Sequence, residues 1–402
     1  MHVDEEAPGC SAEDWYRAVP REILPHAAAL AGCRSQAEME RLPAYRAIAG
    51  VVEAALSNPH RGDFRPAAPA AARERYRFAA WNIERGTQLA AQISALRCHP
   101  YLKLADVLLI TEADLGMARS GNLPVAEVLA RELGMTHAFI PCYIALGKGS
   151  GLERSAEGEN RFGLHGNALL SRYPISRVRP IPLPNGVDKM AHREQRIGRQ
   201  SALAARIEFP NLAVEAAVVH LDAQSSQRHR VRQMRTVLNA LEPGPAVVGG
   251  DWNTSTYDSS HAAWAIFGFW LRVMMGVDNV MRNHYLHPER RFERRLFDLL
   301  EARGFDYRSA NQMGEPTVCY DYQGRATESL KDWVPLWCFP FIRWALRNHQ
   351  GRCPMKLDWF ATRGLEAGNA AVIHQPVEGE GYPLSDHDAV GVDIGAGRRR
   401  SS

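Results

Sequence analysis

Residues 246–255 read AVVGGDWNTS: a short apolar run, two glycines, and then the polar group that holds Asp251, Asn253 and Thr254. A short, continuous apolar run suits a strand buried on both faces, and its abrupt polar end places Asp251 and Asn253 at the strand's carboxyl edge. The same pattern recurs outward in both directions. YRFAAWNI (76–83) carries Asn82 near its end, and DVLLIT (106–111) is closed by Glu112. AVEAAVVH (213–220) closes on His220, and DAVGVDI (388–394) is preceded by Asp386 and His387. Further strands are expected at 167–171, 201–207 and 357–362, and helices at 87–99, 123–133 and 226–241. Short buried strands separated by amphipathic helices predict a layered α/β protein with its sheets at the centre.

Each strand-end polar residue has an ordinary explanation as a turn former. Asp358, set inside KLDWFATRG (356–364), does not, because a carboxylate within an apolar strand is costly unless a donor or cation meets it. Taken together the residues make chemical sense. Mg²⁺ takes oxygen ligands from one or two carboxylates and keeps several waters for a phosphate to replace. Glu112 and Asn82 supply such oxygens. Asp251 can accept a proton from water or orient it. His387 can donate to a phosphoryl oxygen, with a carboxylate such as Asp358 fixing its tautomer, and His220 can act similarly from another side.

The ordered set WNIERG, TEAD, HGNALLSRYPI, VVHLDAQ, GGDWNTS, KLDWFATRG and LSDHDAVGV, spanning roughly residues 76–394, resembles the endonuclease/exonuclease/phosphatase superfamily, the deoxyribonuclease I-like fold. GDWNT and the terminal SDH are its most specific parts. The resemblance implies α/β (α+β) architecture: a four-layer αββα sandwich with two mixed β-sheets and the site at one end of them. It implies a metal-dependent phosphoester hydrolase using Mg²⁺, with Mn²⁺ as the alternative ion. Asn82 and Glu112 match the metal-binding pair, and Asp386 the residue that assists the metal. Asp251 matches the water-handling aspartate, Asn253 the phosphate-contacting asparagine, and Asp358 with His387 the aspartate–histidine pair. His220 matches the second histidine of the nuclease and sphingomyelinase branches and argues against the abasic-site branch. Arg199 falls where some members place a phosphate-binding arginine, and Asn167 is expected to face the site.

The rest of the chain bounds the reading. Its 402 residues, 46% hydrophobic, carry a net charge of +3, which neither favours nor excludes a polyanionic partner. The odd, scattered cysteines and the acidic start (Asp4, Glu5, Glu6) argue for reduced thiols, no signal peptide and a cytoplasmic protein. No apolar run reaches bilayer length. Residues 1–73 are expected as a helical extension ending in a Pro/Ala linker (61–73), and 74–396 as the hydrolase domain. Within it, 256–355 is expected as a helical insert rich in aromatics, including Trp333, and in arginines (Arg290, Arg291, Arg294, Arg295). Its stretches AWAIFGFWLRVMMG (263–276) and WVPLWCFPFIRWAL (333–346) read first as the insert's own core, because clustered aromatics usually pack together. Arg119, Ser120 and Asn122, before the helix at 123–133, read first as capping, with anion binding as the alternative. The tail GRRRSS is expected to be disordered. A nuclease-like phosphodiesterase acting on nucleic acid or nucleotides is the favoured activity. The alternatives are a sphingomyelinase-type lipid phosphodiesterase, acting on a lipid headgroup, and a small-phosphoester phosphatase; a non-catalytic binding protein is the remote one. No protein partner can be inferred.

Overall fold

The computed structural model describes residues 15–68, 71–191, 194–256, 258, 262–322, 336–375 and 383–397. Trp333, the acidic start and most of the tail lie outside them. The strands, in chain order, are β1 (His60–Asp63), β2 (Arg75–Arg85), β3 (Val107–Leu115), β4 (Thr136–Ala145), β5 (Leu164–Ser171), β6 (Ile175–Pro182), β7 (Arg196–Gly198) and β8 (Ser201–Phe209). They continue with β9 (Leu212–Val218), β10 (Ala246–Asp251), β11 (Val318–Asp321), β12 (Arg352–Met355), β13 (Asp358–Arg363), β14 (Leu365–Ile373) and β15 (Ala389–Ala396).

These strands form two mixed sheets. The first runs β1-β4-β5-β3-β2-β15-β14, with β7 beside β4; the second runs β13-β10-β9-β8-β6. β2 is parallel to β3 and β9 to β10, and the other pairings are antiparallel. Alternation along β2 shows how the layers arise. Tyr76, Phe78 and Ala80 point into the core between the sheets, where they meet residues such as Leu203, Ala205, Val218 and Phe360. Ala79, Trp81 and Ile83 point the other way, under the helices Leu89–Cys98 and Val125–Leu133. The helix Gln227–Ala240 covers the far face of the second sheet through Met234, Val237 and Leu238. The result is the expected helix–sheet–sheet–helix sandwich.

Several boundaries differ from the sequence reading. The expected linker contributes β1, which pairs with β4 at the edge of the first sheet. As expected of a helical extension packed on the main domain, the helix Pro43–Ser57 buries Ile48 and Val52 in that sheet's outer core. The stretch 256–355 contains two kinds of material. Leu296, Phe297, Leu300, Phe305 and Tyr307 belong to the second sheet's own core, with the helix Arg294–Ala302 packed beside Gln227–Ala240. A separate small core is built by Val280, Met281 and Tyr285 with β11, β12, Leu346 and Leu357, and Ile342 packs against it.

Candidate active site

The site forms where strands β2, β3, β9, β10 and β13 and the loop before β15 end together. β10 and β13 pair so that Asp251 lies directly opposite Asp358. Two carboxylates facing each other across a ladder repel unless something positive joins them. His387 does so: its Nδ1 lies 2.8 Å from Asp358 Oδ2 and its Nε2 lies 3.8 Å from Asp251 Oδ2. Gly250 makes the approach of β10 to β9 feasible. Its φ is +131°, and a Cβ there would lie 2.3 Å from the Val219 carbonyl oxygen. Behind the strand ends Trp252 stacks on Trp359, which locks GDWNT against KLDWF.

Asp251, 1% exposed, is held from several directions. Its Oδ1 accepts from the Asn253 backbone N–H at 2.9 Å. Its Oδ2 accepts from Asn82 Nδ2 at 3.2 Å and Asn253 Nδ2 at 3.3 Å, and His220 Nε2 lies 3.5 Å away. Burial, with Asp358 nearby, pushes the Asp251 carboxyl up to about 6 against the pull of His387 and His220. Burial opposes the charged form of His387, yet Asp358, Asp251 and Asp386 hold its pKa well above the usual histidine value. Thr317 completes this wall: its Oγ1 donates to Asp358 Oδ2 at 2.7 Å and accepts from the backbone N–H groups of Leu357 and Asp358.

The opposite wall is acidic and open. β2 and β3 each break register near their ends, and Glu84, Arg85 and Glu112 adopt φ of 45°, 68° and 56°. These kinks bring Glu112 beside Asn82, 3.1 Å from its Nδ2, and Glu84 within electrostatic reach of Asp386. Burial, Asp386 and Glu112 push Glu84 up to about 7. Glu112 stays well below the usual carboxylate range, because Arg85 and His220 outweigh its burial. Asp386 is exposed, while Ser385 anchors its loop through Oγ donating to the Asn82 carbonyl at 2.6 Å.

Residues 79–387 match the Endonuclease/Exonuclease/phosphatase family. The chain belongs to that family. Its members are phosphoester hydrolases. No functionally curated protein matches the chain in sequence. Among solved structures, it is similar to an endonuclease/exonuclease/phosphatase from Beutenbergia cavernae DSM 12333, at 16% identity over 81% of this chain and 72% of that one, with a TM-score of 0.47. It is similar to the human Nocturnin catalytic domain with bound sulfate anion, at 16% identity over 84% and 97% of the chains, TM-score 0.40. A Neisseria 3' phosphatase, NExo, bound to product DNA hairpin shares 15% identity over 79% and 98%, TM-score 0.43.

Asn82, Glu112, His220, Asp251, Asn253, Asp358, Asp386 and His387 thus gather at one end of the two sheets. The Asn82 amide N–H₂ faces Glu112 and Asp251, which it bridges, and its oxygen accepts from the Glu84 backbone N–H. Arg199 is not in the cleft's hydrogen-bond network; it is exposed and pairs with Glu53 of the N-terminal helix at 3.4 Å. Asn167 lies between the sheets, donating to the Ser201 carbonyl at 2.8 Å, and ties β5 to β8. Neither reading expected before the helix Val125–Leu133 holds. Asn122 spans to the Glu159 carbonyl instead of capping, and Arg119 is enclosed by Asp114, Glu153 and Glu194, which leaves no charge for an anion.

Sequence reasoning missed Glu84, Ser385 and Thr317. The first two sit inside motifs already singled out, beside the residues read as functional. Thr317 precedes β11 in the stretch read as an insert, and no local pattern marks it.

The donor set separates into two chemistries. Asp251, Asp358 and His387 have ligand atoms within 4.8 Å of one another. Within this set Asp358 Oδ2 is already committed to Thr317 Oγ1 and His387 Nδ1, an arrangement that orients the imidazole for proton handling. Glu112, Glu84 and Asp386 offer hard carboxylate oxygens of the kind a divalent cation takes, with Arg85 lying 4.0 Å from both Glu84 and Glu112.

Proposed function

We propose that the chain is a Mg²⁺-dependent phosphodiester hydrolase. The observation that carries this reading is Asp251, whose buried carboxylate gathers Asn82, Asn253, His220 and His387 within 3.8 Å beside an open carboxylate wall. A divalent cation, with Mn²⁺ as the alternative to Mg²⁺, would be held by Glu112 and Asp386 and would neutralise charge on the phosphoryl oxygens.

The protein groups divide the remaining work. Asp251, raised to about 6, can take the proton of an attacking water near neutral pH. Asn82 and Asn253 aim it: each donates to Oδ2, so the carboxylate cannot rotate freely. His387 carries its proton on Nε2 while Nδ1–H is committed to Asp358, and the resulting imidazolium can donate to a phosphoryl oxygen. His220, on the far side of Asp251, supplies a second ring nitrogen to the same space. Arg294 and Arg290, part of the arginine cluster that favoured a nuclease reading, stay exposed while lying 3.7 and 3.8 Å from Asp298 and Glu289.

Turnover of bis-(p-nitrophenyl) phosphate by the purified protein, with Mg²⁺ and with chelator, tests the reading. Metal-dependent turnover that is lost in Asp251→Asn is expected. Wild-type turnover by that variant, or equal rates with chelator, would remove the assignment.

A further inference from the structure

The aromatics of the insert do not all close into a core. Along the helix Ala262–Met274, Trp264 and Phe267 are 59% exposed and Trp270 is 40% exposed, one helical face at spacings of three. Trp337, Phe341 and Trp344, from the segment holding the helix Phe339–Ala345, are 56%, 44% and 49% exposed. The two groups join into one patch: the rings of Trp270 and Phe341 meet edge to face at 5.9 Å, and Phe341 meets Trp337 at 6.5 Å. Scattered exposed apolar residues need no explanation, but a contiguous aromatic patch does.

The charged side chains within its two described segments are all basic. Neither 262–277 nor 336–349 contains an aspartate or glutamate. Arg343 and Arg347 are exposed and, among the described residues, have no carboxylate partner; Arg347 lies over the Trp344 ring at 5.0 Å. The exposed carboxylate at the edge, Asp278, is met by His349 at 3.1 Å. Arg272 turns inward, donating to the carbonyls of Gly268 and Ser255, and so ties the patch to the turn that follows Asp251. The helix Ala262–Met274 follows the turn after β10, and the helix Phe339–Ala345 leads through β12 into β13.

We propose that this patch is an interfacial anchor that seats on an anionic phospholipid surface. Indole and phenyl rings with arginines at their rim partition to the headgroup boundary, where rings enter the acyl edge and guanidinium groups meet lipid phosphate. A self-complementary contact between two copies would set these arginines against one another, and among the described residues the patch offers them only Asp278 at its edge, already met by His349. A nucleic-acid groove needs a line of cations along the backbone rather than two. No helix among the described residues is long and apolar enough to cross a membrane, so the anchor lies in the interface. Resting on the phosphodiesterase reading above, the anchor delivers the cleft to lipid headgroup phosphodiesters.

Sedimentation of the full chain with vesicles, in chelator so that no turnover occurs, tests this. Phosphatidylcholine vesicles are compared with vesicles that also contain phosphatidylglycerol. Binding to the mixed vesicles is expected, falling about tenfold or more in the triple variant Trp264→Ala/Phe267→Ala/Trp337→Ala. Arg343→Gln/Arg347→Gln should abolish the preference for phosphatidylglycerol. Circular dichroism and turnover of bis-(p-nitrophenyl) phosphate should match the parent in both variants. Absence of vesicle binding, or binding unchanged in the triple variant, overturns the anchor. So does a patch-dependent dimer, or patch-dependent oligonucleotide binding, without vesicle binding. Vesicle binding by a chain inert toward bis-(p-nitrophenyl) phosphate would sink the hydrolase reading and leave the anchor standing.

Discussion

The two walls of the cleft are built on opposite principles. On one, Asp251, Asp358 and His387 are at most 4% exposed, and protein donors and acceptors orient them. On the other, Glu112 and Glu84 are only partly buried, with Arg85 4.0 Å from each, and Asp386 faces solvent, so its oxygens stay open to groups from outside the chain. The closed wall needs fixed geometry, because proton transfer depends on which oxygen or nitrogen faces the water. The open wall needs charge and adaptable oxygens, because a hydrated divalent ion completes its shell with water and substrate.

This contrast can be broken most sharply by removing one acid from each wall. Asp251→Asn and Glu112→Gln should each lower kcat on bis-(p-nitrophenyl) phosphate by about 10³-fold or more, the scale of a lost general base or metal ligand. Raising Mg²⁺ should recover part of the Glu112→Gln loss and none of the Asp251→Asn loss; equal recovery in both would erase the division.

The open wall also depends on a buried lattice behind it. Arg85 contacts Glu153 at 3.1 Å, and Arg119 joins Glu153 to Asp114 and Glu194. Arg119→Met should destabilise the chain by about 3–5 kcal/mol in urea unfolding, since it strands buried carboxylates. Despite burial, Arg119 and Arg196 hold Asp114 and Glu194 below the usual range. Groups depressed in the folded state stabilise it fully above the unfolded carboxylate pKa, roughly 4, and lose that contribution as pH falls toward their own lower values. The parent should therefore show a steep loss of stability below about pH 4 that is shallower in Arg119→Met. A parent flat across that range would mean the lattice contributes nothing through ionisation.

Smaller effects sharpen the comparison further. Asp358→Asn should cost about 10²-fold in kcat with little change in Mg²⁺ dependence, because it frees the His387 ring without touching the open wall. Glu84→Gln should do the reverse, shifting the Mg²⁺ concentration for half-activity by about tenfold while sparing kcat at saturation. A kcat loss in Glu84→Gln that persists at saturating metal would place Glu84 in the proton chemistry instead.

Most of the closed wall was legible because its residues sit at strand ends, where buried runs stop abruptly and polar atoms must find partners. Asp358 announced itself as a carboxylate in an apolar strand, and the partner it required proved to be His387, with Thr317 behind it. Thr317 itself was not legible, since its role comes from an approach between segments about forty residues apart, which no periodicity records. Arg199 and Asn167 were read from position in a motif. Position alone did not say that one would meet Glu53 and the other would bridge the sheets.

Hydrophobic patterning, then, decided a layered α/β protein and the strand ends that carry chemistry, because these follow from which residues must leave water, while the two-sheet sandwich was implied by the resemblance of the ordered motifs to a known family. The fully packed chain decided three further matters. They are the face Asn82 turns to its neighbours, the crowding of Glu84 with Asp386, and the aromatics of 262–274 and 336–346 that stay outside. Each depends on what stands across a few ångströms of space, and distance in space is not encoded locally along a chain.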